Sequence, residues 1–174
     1  IRRNTNLGHA DLNHYAFFVP GNHPYQPDVR VGGERDALTH KGNDRYHRLG
    51  RGQSIKIREQ QGRWAKTYFS LENDGMYSAT IQAWSNPLPK KRFDFRCYDL
   101  SDSGRRNVTG KMKVGTYDSW MDPYEVRELQ ASVRMRRKGS KSSKDRRVPA
   151  LRFHAWCEPD NSRTDASVAK IQFR

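Results

Sequence analysis

Arg92-Phe93-Asp94-Phe95-Arg96-Cys97 places Phe93, Phe95 and Cys97 on one side of an extended chain and Arg92, Asp94 and Arg96 on the other. Successive side chains of a β-strand point to opposite faces, so this alternation reads as a strand with one face in a core and the other in water. Gln130-Ala131-Ser132-Val133-Arg134-Met135-Arg136 repeats it, with Ala131, Val133 and Met135 on the apolar side and Arg134 and Arg136 on the polar side. Lys111-Met112-Lys113-Val114, Ser54-Ile55-Lys56-Ile57-Arg58 and Arg152-Phe153-His154-Ala155 share the period. The polar side is mostly Lys or Arg. The expected sheets are therefore apolar inside and cationic outside.

From Gln53 onward this pattern predicts strands at 53–59, 63–71, 76–85, 91–99, 110–118, 125–137, 149–157 and 166–173. Gln61-Gly62, Asn73-Asp74-Gly75, Ser85-Asn86-Pro87, Ser101-Asp102-Ser103-Gly104 and Asp160-Asn161-Ser162 supply the turns between them. Short strands at such spacing indicate an all-β, antiparallel β-sandwich of about eight to ten strands, and a jelly roll is one arrangement that fits. The segment from Phe69 to Ile81 resembles the strand pair common in jelly-roll and other β-sandwich domains. There a Gly closes the turn and an aromatic opens the next core strand, here Gly75 and Tyr77. A single turn of helix is expected at Asp122-Pro123-Tyr124-Glu125, with Asp122 as cap and Pro123 first in the helix.

The 174 residues make one domain by size, divided into a loop-rich segment 1–52 and a regular strand region 53–174. In the first segment His14-Tyr15-Ala16-Phe17-Phe18-Val19 and Asp28-Val29-Arg30-Val31 read as strands, and 32–53 as an extended loop. Loops of that length are usually functional or ordered by a partner. The start, Ile1-Arg2-Arg3-Asn4 without Met, reads as a processed or trimmed chain whose missing part is a candidate address or basic arm.

Charge narrows the partner class. With 33 Lys+Arg against 19 Asp+Glu, the formal charge is +14, which repels itself and is stabilised by an anionic partner or salt. Arg outnumbers Lys, and its planar fork suits phosphate. A 34% hydrophobic share and mean hydropathy of −1.06 point to a thin core or to surface covered by a partner, while 11% aromatics argue against plain disorder. No apolar run approaches the roughly 20 residues that span a bilayer. Cys97 and Cys157 both fall on apolar faces, as two buried thiols or as one intersheet disulfide. Asn107-Val108-Thr109 is a glycosylation triplet that matters only in a secreted chain.

Three constellations could carry chemistry. His9, His14, His23, His40 and His47 cluster in the first fifty residues, near Asp11, Asp28, Asp36 and Asp44. Imidazole binds metals and acts as a base, but no His-x-Glu, His-Glu-x-x-His or Cys pair completes a site, so local hydrogen bonding or phosphate contact is expected instead. The second is Arg134-Met135-Arg136-Arg137-Lys138-Gly139-Ser140-Lys141-Ser142-Ser143-Lys144-Asp145-Arg146-Arg147, eight basic side chains against one acid. It reads as a cationic hairpin tip that binds phosphate, against the plainer reading of a solvated loop or an import signal. The third interleaves basic and aromatic residues: Arg45-Tyr46-His47-Arg48, Arg63-Trp64-Ala65-Lys66 and Lys90-Lys91-Arg92-Phe93. Tyr46 is the expected base-stacking residue, Phe93 the expected core residue, and Trp84 and Trp156 fall on the polar side of their strands.

The expectation is a non-enzymatic structural protein associating electrostatically with nucleic acid (RNA or DNA, little sequence specificity), most concretely a viral coat or assembly subunit and a homo-oligomer or larger assembly. Arg134, Arg136, Arg137, Lys138, Lys141, Lys144, Arg146 and Arg147 lead its site, with Arg45, Tyr46, Arg48 and Arg51 second. No cofactor and no metal are expected. The alternatives are a secreted sandwich binding carbohydrate or a cell-surface partner, and a basic nuclease or toxin using the N-terminal histidines.

Overall fold

The structure is a computed structural model that describes residues 23–101, 104–136, 148–158, 160 and 162–174. Ten strands form two sheets: β1 (Pro27–Gly32), β2 (Ser54–Glu59), β3 (Trp64–Asn73), β4 (Ala79–Ser85), β5 (Phe93–Asp99), β6 (Arg106–Asn107), β7 (Tyr117–Met121), β8 (Val126–Met135), β9 (Leu151–Glu158) and β10 (Thr164–Phe173). The first sheet runs β1-β3-β8-β5-β6 and the second β2-β10-β9-β4-β7; among the described residues only β2 and β10 pair in parallel. With β1, β3, β8 and β5 as A, B, E and D, and β4, β9 and β10 as C, F and G, this is the strand order of an immunoglobulin-type sandwich. Among the described residues the first and last strands, β1 and β10, lie in different sheets, whereas a jelly roll sets its first and last strands side by side.

The alternation works as read. Phe93, Phe95 and Cys97 of β5 and Ala131, Val133 and Met135 of β8 are buried, and Phe69 of β3 stacks on Phe153 of β9 across the interior at 3.9 Å. Cys97 and Cys157 are buried free thiols on opposite sheets, so the intersheet disulfide is not formed. Burial pushes the Cys97 thiol far up and the Cys157 thiol up to about 12.

Three local expectations are corrected. Lys111-Met112-Lys113-Val114 is not a strand but part of helix α1 (Thr109–Val114), and the strand follows at β7. Only Met112 of α1 is buried; Asn107 Oδ1 accepts from Thr109 N–H at 3.0 Å, and Gly115 closes the helix at φ 77°. At Asp122–Glu125 there is a turn and no helix. Tyr124 sits at φ 63°, which a right-handed helix cannot continue, and its N–H is held by Asn73 O at 2.6 Å. Tyr77 does not open a core strand: it is exposed, and β4 begins at Ala79. Gly75 is nevertheless required, because a Cβ there would approach Pro24 O to 2.5 Å. The strand read at 14–19 lies outside the described residues.

The loop between β1 and β2 is ordered by the sandwich itself. β1 is an edge strand, and its outward backbone groups are all taken: Val31 exchanges bonds with Lys41 at 2.9 and 2.8 Å, and Val29 O accepts from Gln53 Nε2 at 3.3 Å. Val29 N–H donates to Asp165 Oδ2 at 2.7 Å, and Asp165 Oδ1 also accepts from His47 N–H at 2.7 Å. A carboxylate on β10 thus fastens the edge of the opposite sheet and the loop together.

This interior carries an unusual charge load. Burial, reinforced by Asp74 and Asp165 against the opposing Arg30 bond, pushes the Asp28 carboxyl up to about 7, and burial pushes Asp165 up to about 6. Both lie above the ordinary 3.8, so the folded chain holds protons that the unfolded chain has released. Stability from this source is full below about 4 and is lost as pH rises through about 6 to 7. The urea midpoint is therefore expected to be higher at pH 5 than at pH 7.5. Asp94 and Asp99, held below their ordinary value, act only at more acid pH. A midpoint that climbs between pH 5 and 7.5 would contradict the burial of these two carboxylates.

Candidate anion-binding surface

The outer face of the first sheet is built by register. Trp64, Arg134 and Asp94 stand side by side on β3, β8 and β5, and Lys66, Ser132 and Arg96 form the next row. Arg134 donates to Asp94 Oδ2 through Nη2 at 2.9 Å and Nε at 3.2 Å, while Arg136 Nε donates to Oδ1 at 2.8 Å. Slight burial works the other way, but these bonds hold the Asp94 carboxyl below its ordinary value. The guanidinium carbons of Arg96 and Arg134 lie 4.5 and 4.7 Å from the Trp64 ring centre, within cation–π reach. Lys90 and Lys113 complete the wall of a cleft of about 280 Å³, in which five cations surround a single carboxylate. Two guanidiniums share that carboxylate, so most of the positive charge is left for an outside anion.

The expected site residues divide. Arg134 and Arg136 sit in this cleft at the root of the basic run. Arg137, Lys138, Lys141, Lys144, Arg146 and Arg147 lie outside the described residues. Arg45, Tyr46, Arg48 and Arg51 are exposed but belong to the loop beside β1, where the Tyr46 hydroxyl donates to Asp74 at 2.7 Å. Asp74 follows the last residue of β3 and Trp64 is its first, so the ten-residue strand, about 30 Å long, separates the two groups. They are not brought together. Sequence reasoning missed Arg96 and Lys113 as members of the site. The signal for Arg96 was its place on the same polar face as Asp94, whereas Lys113 reaches the cleft from a helix that reads as a strand.

His9, His14 and Asp11 of the histidine cluster lie outside the described residues, and among the described ones no group of three His, Cys, Asp or Glu is placed to hold a metal. His40 is buried, bonded to Ser70 Oγ at 3.1 Å and Glu34 O at 2.9 Å, and His47 Nδ1 accepts from Leu49 N–H at 3.1 Å. On the outer face of the second sheet, Trp84 stacks on His154 at 4.8 Å and meets Trp156 at 4.9 Å. Burial, then the charge of Arg152, lowers the His154 pKa, so this aromatic strip is neutral at pH 7. No helix among the described residues is long and apolar enough to cross a membrane.

No protein-family model matches this chain, and no curated protein matches it. Among solved structures it is similar to the ASH/PapD-like domain 7 of human CEP192, at 12% identity over 84% of each chain with a TM-score of 0.43. It is also similar to a family 123 glycoside hydrolase from Clostridium perfringens, at 4% identity over 85% of this chain with a TM-score of 0.51. The chain spans only 27% of that hydrolase. At such identity the likeness is one of fold alone.

Proposed function

We propose that this protein is a non-enzymatic structural component that associates electrostatically with nucleic acid, as a coat or other assembly subunit. The observation that carries the reading is the cleft in which Lys90, Arg96, Lys113, Arg134 and Arg136 surround the one carboxylate of Asp94 beside Trp64. It lies where the basic run of eight cations leaves β8. Lys and Arg on a phosphate backbone release condensed counterions, which gives affinity with little sequence readout. The assembly part of the proposal is supported by the low hydropathy and by Trp120, an outward aromatic on edge strand β7 that is 64% exposed.

Size exclusion with light scattering, recording absorbance at 260 and 280 nm at low and then high salt, tests it. A large species rich in 260 nm absorbance that dissociates in salt is expected. A small protein-only species at both salts would overturn the proposal and shift weight to the second reading, a carbohydrate-binding sandwich. That reading is favoured by the neutral strip of Trp84, His154 and Trp156, which offers apolar ring faces of the kind sugars pack against.

A further inference from the structure

The cation cleft shares its walls with an apolar recess. Lys90, Phe93, Phe95 and Lys113 line both; Pro87, Leu88 and Val114 face only the second, which has a volume of about 330 Å³. That is the lower end of the range for small-ligand sites, room for one planar ring system and not for a folded polymer. Val114 stands at the lip, 72% exposed, at the end of α1. Asn86, the amide lining the recess, is already spent: Nδ2 donates to Ala150 O at 3.1 Å and Oδ1 accepts from Arg152 N–H at 2.5 Å. The recess therefore offers an apolar slot flanked by ammonium groups and little that would read one hydrogen-bonding edge over another.

A ligand complementary to both clefts carries a flat apolar group next to multiple negative charges. Resting on the nucleic-acid reading above, we infer that this face takes single-stranded nucleic acid in preference to duplex. One unstacked base lodges between Leu88, Phe95 and Val114, and neighbouring phosphates lie on Arg96, Arg134 and Arg136. A duplex offers the same phosphates but keeps its bases stacked and paired, so it fills only the cation cleft.

Fluorescence anisotropy with a short oligothymidine, its abasic analogue of equal length and a duplex of equal charge tests this. The oligothymidine is expected to bind about ten-fold more tightly than the other two, the scale of one stacked base. Gly110→Leu is the deciding variant. Gly110 lines the recess, and a Cβ there would meet nothing within 4 Å, so a leucine can be placed at its mouth, narrowing the space for a base without its Cβ striking a neighbour. It is expected to abolish the ten-fold preference while leaving the abasic affinity unchanged, which also reports that the fold is intact. Equal binding of all three probes by the wild type, or a preference that survives Gly110→Leu, overturns the inference and leaves the electrostatic reading standing. Binding of none of the probes at low salt overturns the electrostatic reading itself.

Discussion

Asp165→Ala is expected to lower the thermal midpoint by about 10 °C, the equivalent of about 2.5–5 kcal/mol in a chain of this size. Asp165 is fully buried, and four donor contacts converge on its two oxygens: Val29 N–H and His47 N–H at 2.7 Å each, and Gln53 Nε2 at 2.9 and 3.1 Å. An alanine leaves the Val29 and His47 N–H groups without this acceptor, each costing about 1–3 kcal/mol, while the Gln53 amide keeps only its 3.3 Å contact to Val29 O. Relief from burying a carboxylate offsets part of that, since burial raises its pKa to about 6. The loss is also local. Without this anchor the loop carrying Arg45, Tyr46 and Arg48 keeps the Tyr46–Asp74 bond and the Val31–Lys41 bridge, but the edge of β1 at Val29 opens to water. Hydrogen exchange at Val29 and His47 should rise more than at Phe69 or Phe153 in the stacked core. Asp165→Asn retains one acceptor and should fall between. A midpoint unchanged in Asp165→Ala would mean that the loop is ordered by something other than this carboxylate.

The same residue shows where the sequence stops being informative. Strands such as β5 and β8 are legible because one face is buried, and a one-residue slip would turn Phe93, Phe95 and Cys97 out to water. Asp165 lies on the inward face of β10, in line with Ala169, Ile171 and Phe173, where the alternation leads one to expect an apolar residue. Its partners Gln53, His47 and Val29 are 112, 118 and 136 residues away along the chain, and no local pattern announces them. Residues 110–114 mislead for the opposite reason. One anchored methionine between two lysines satisfies a period of two and a single helical turn equally, and the Asn107 bond to Thr109 N–H and the left-handed Gly115 settle the matter in favour of helix. In the site, Arg134 and Arg136 are legible from charge density alone. Joining them to Arg96, Asp94 and Trp64 needs the β3-β8-β5 register, and no local pattern announces the bond of the Tyr46 hydroxyl to Asp74, 28 residues away.

Substituting Arg96, Arg134 and Arg136 together by Gln should weaken binding of single-stranded nucleic acid about a hundred-fold at low salt. A cation–phosphate contact at about 4 Å is worth about 1 kcal/mol in water, so three amount to about 3 kcal/mol. The slope of log affinity against log salt should fall by about 2, since each phosphate neutralised on a single strand contributes about 0.7. Phosphate contacts of this kind carry no sequence information, so the loss should be uniform across sequences. The three arginines are part-exposed or exposed on the sheet's outer face, and an exposed ion pair contributes about 0–1 kcal/mol to folding, so stability should barely move. Asp94→Asn separates an anion site from a surface ion-pair network. In the folded protein Asp94 competes with any phosphate for Arg134 and Arg136, and its own charge repels the ligand. Removing that charge should tighten binding several-fold while slightly lowering stability. If Arg134 and Arg136 served only to hold Asp94 and the β5–β8 pair, Asp94→Asn would lower stability and leave affinity where it was.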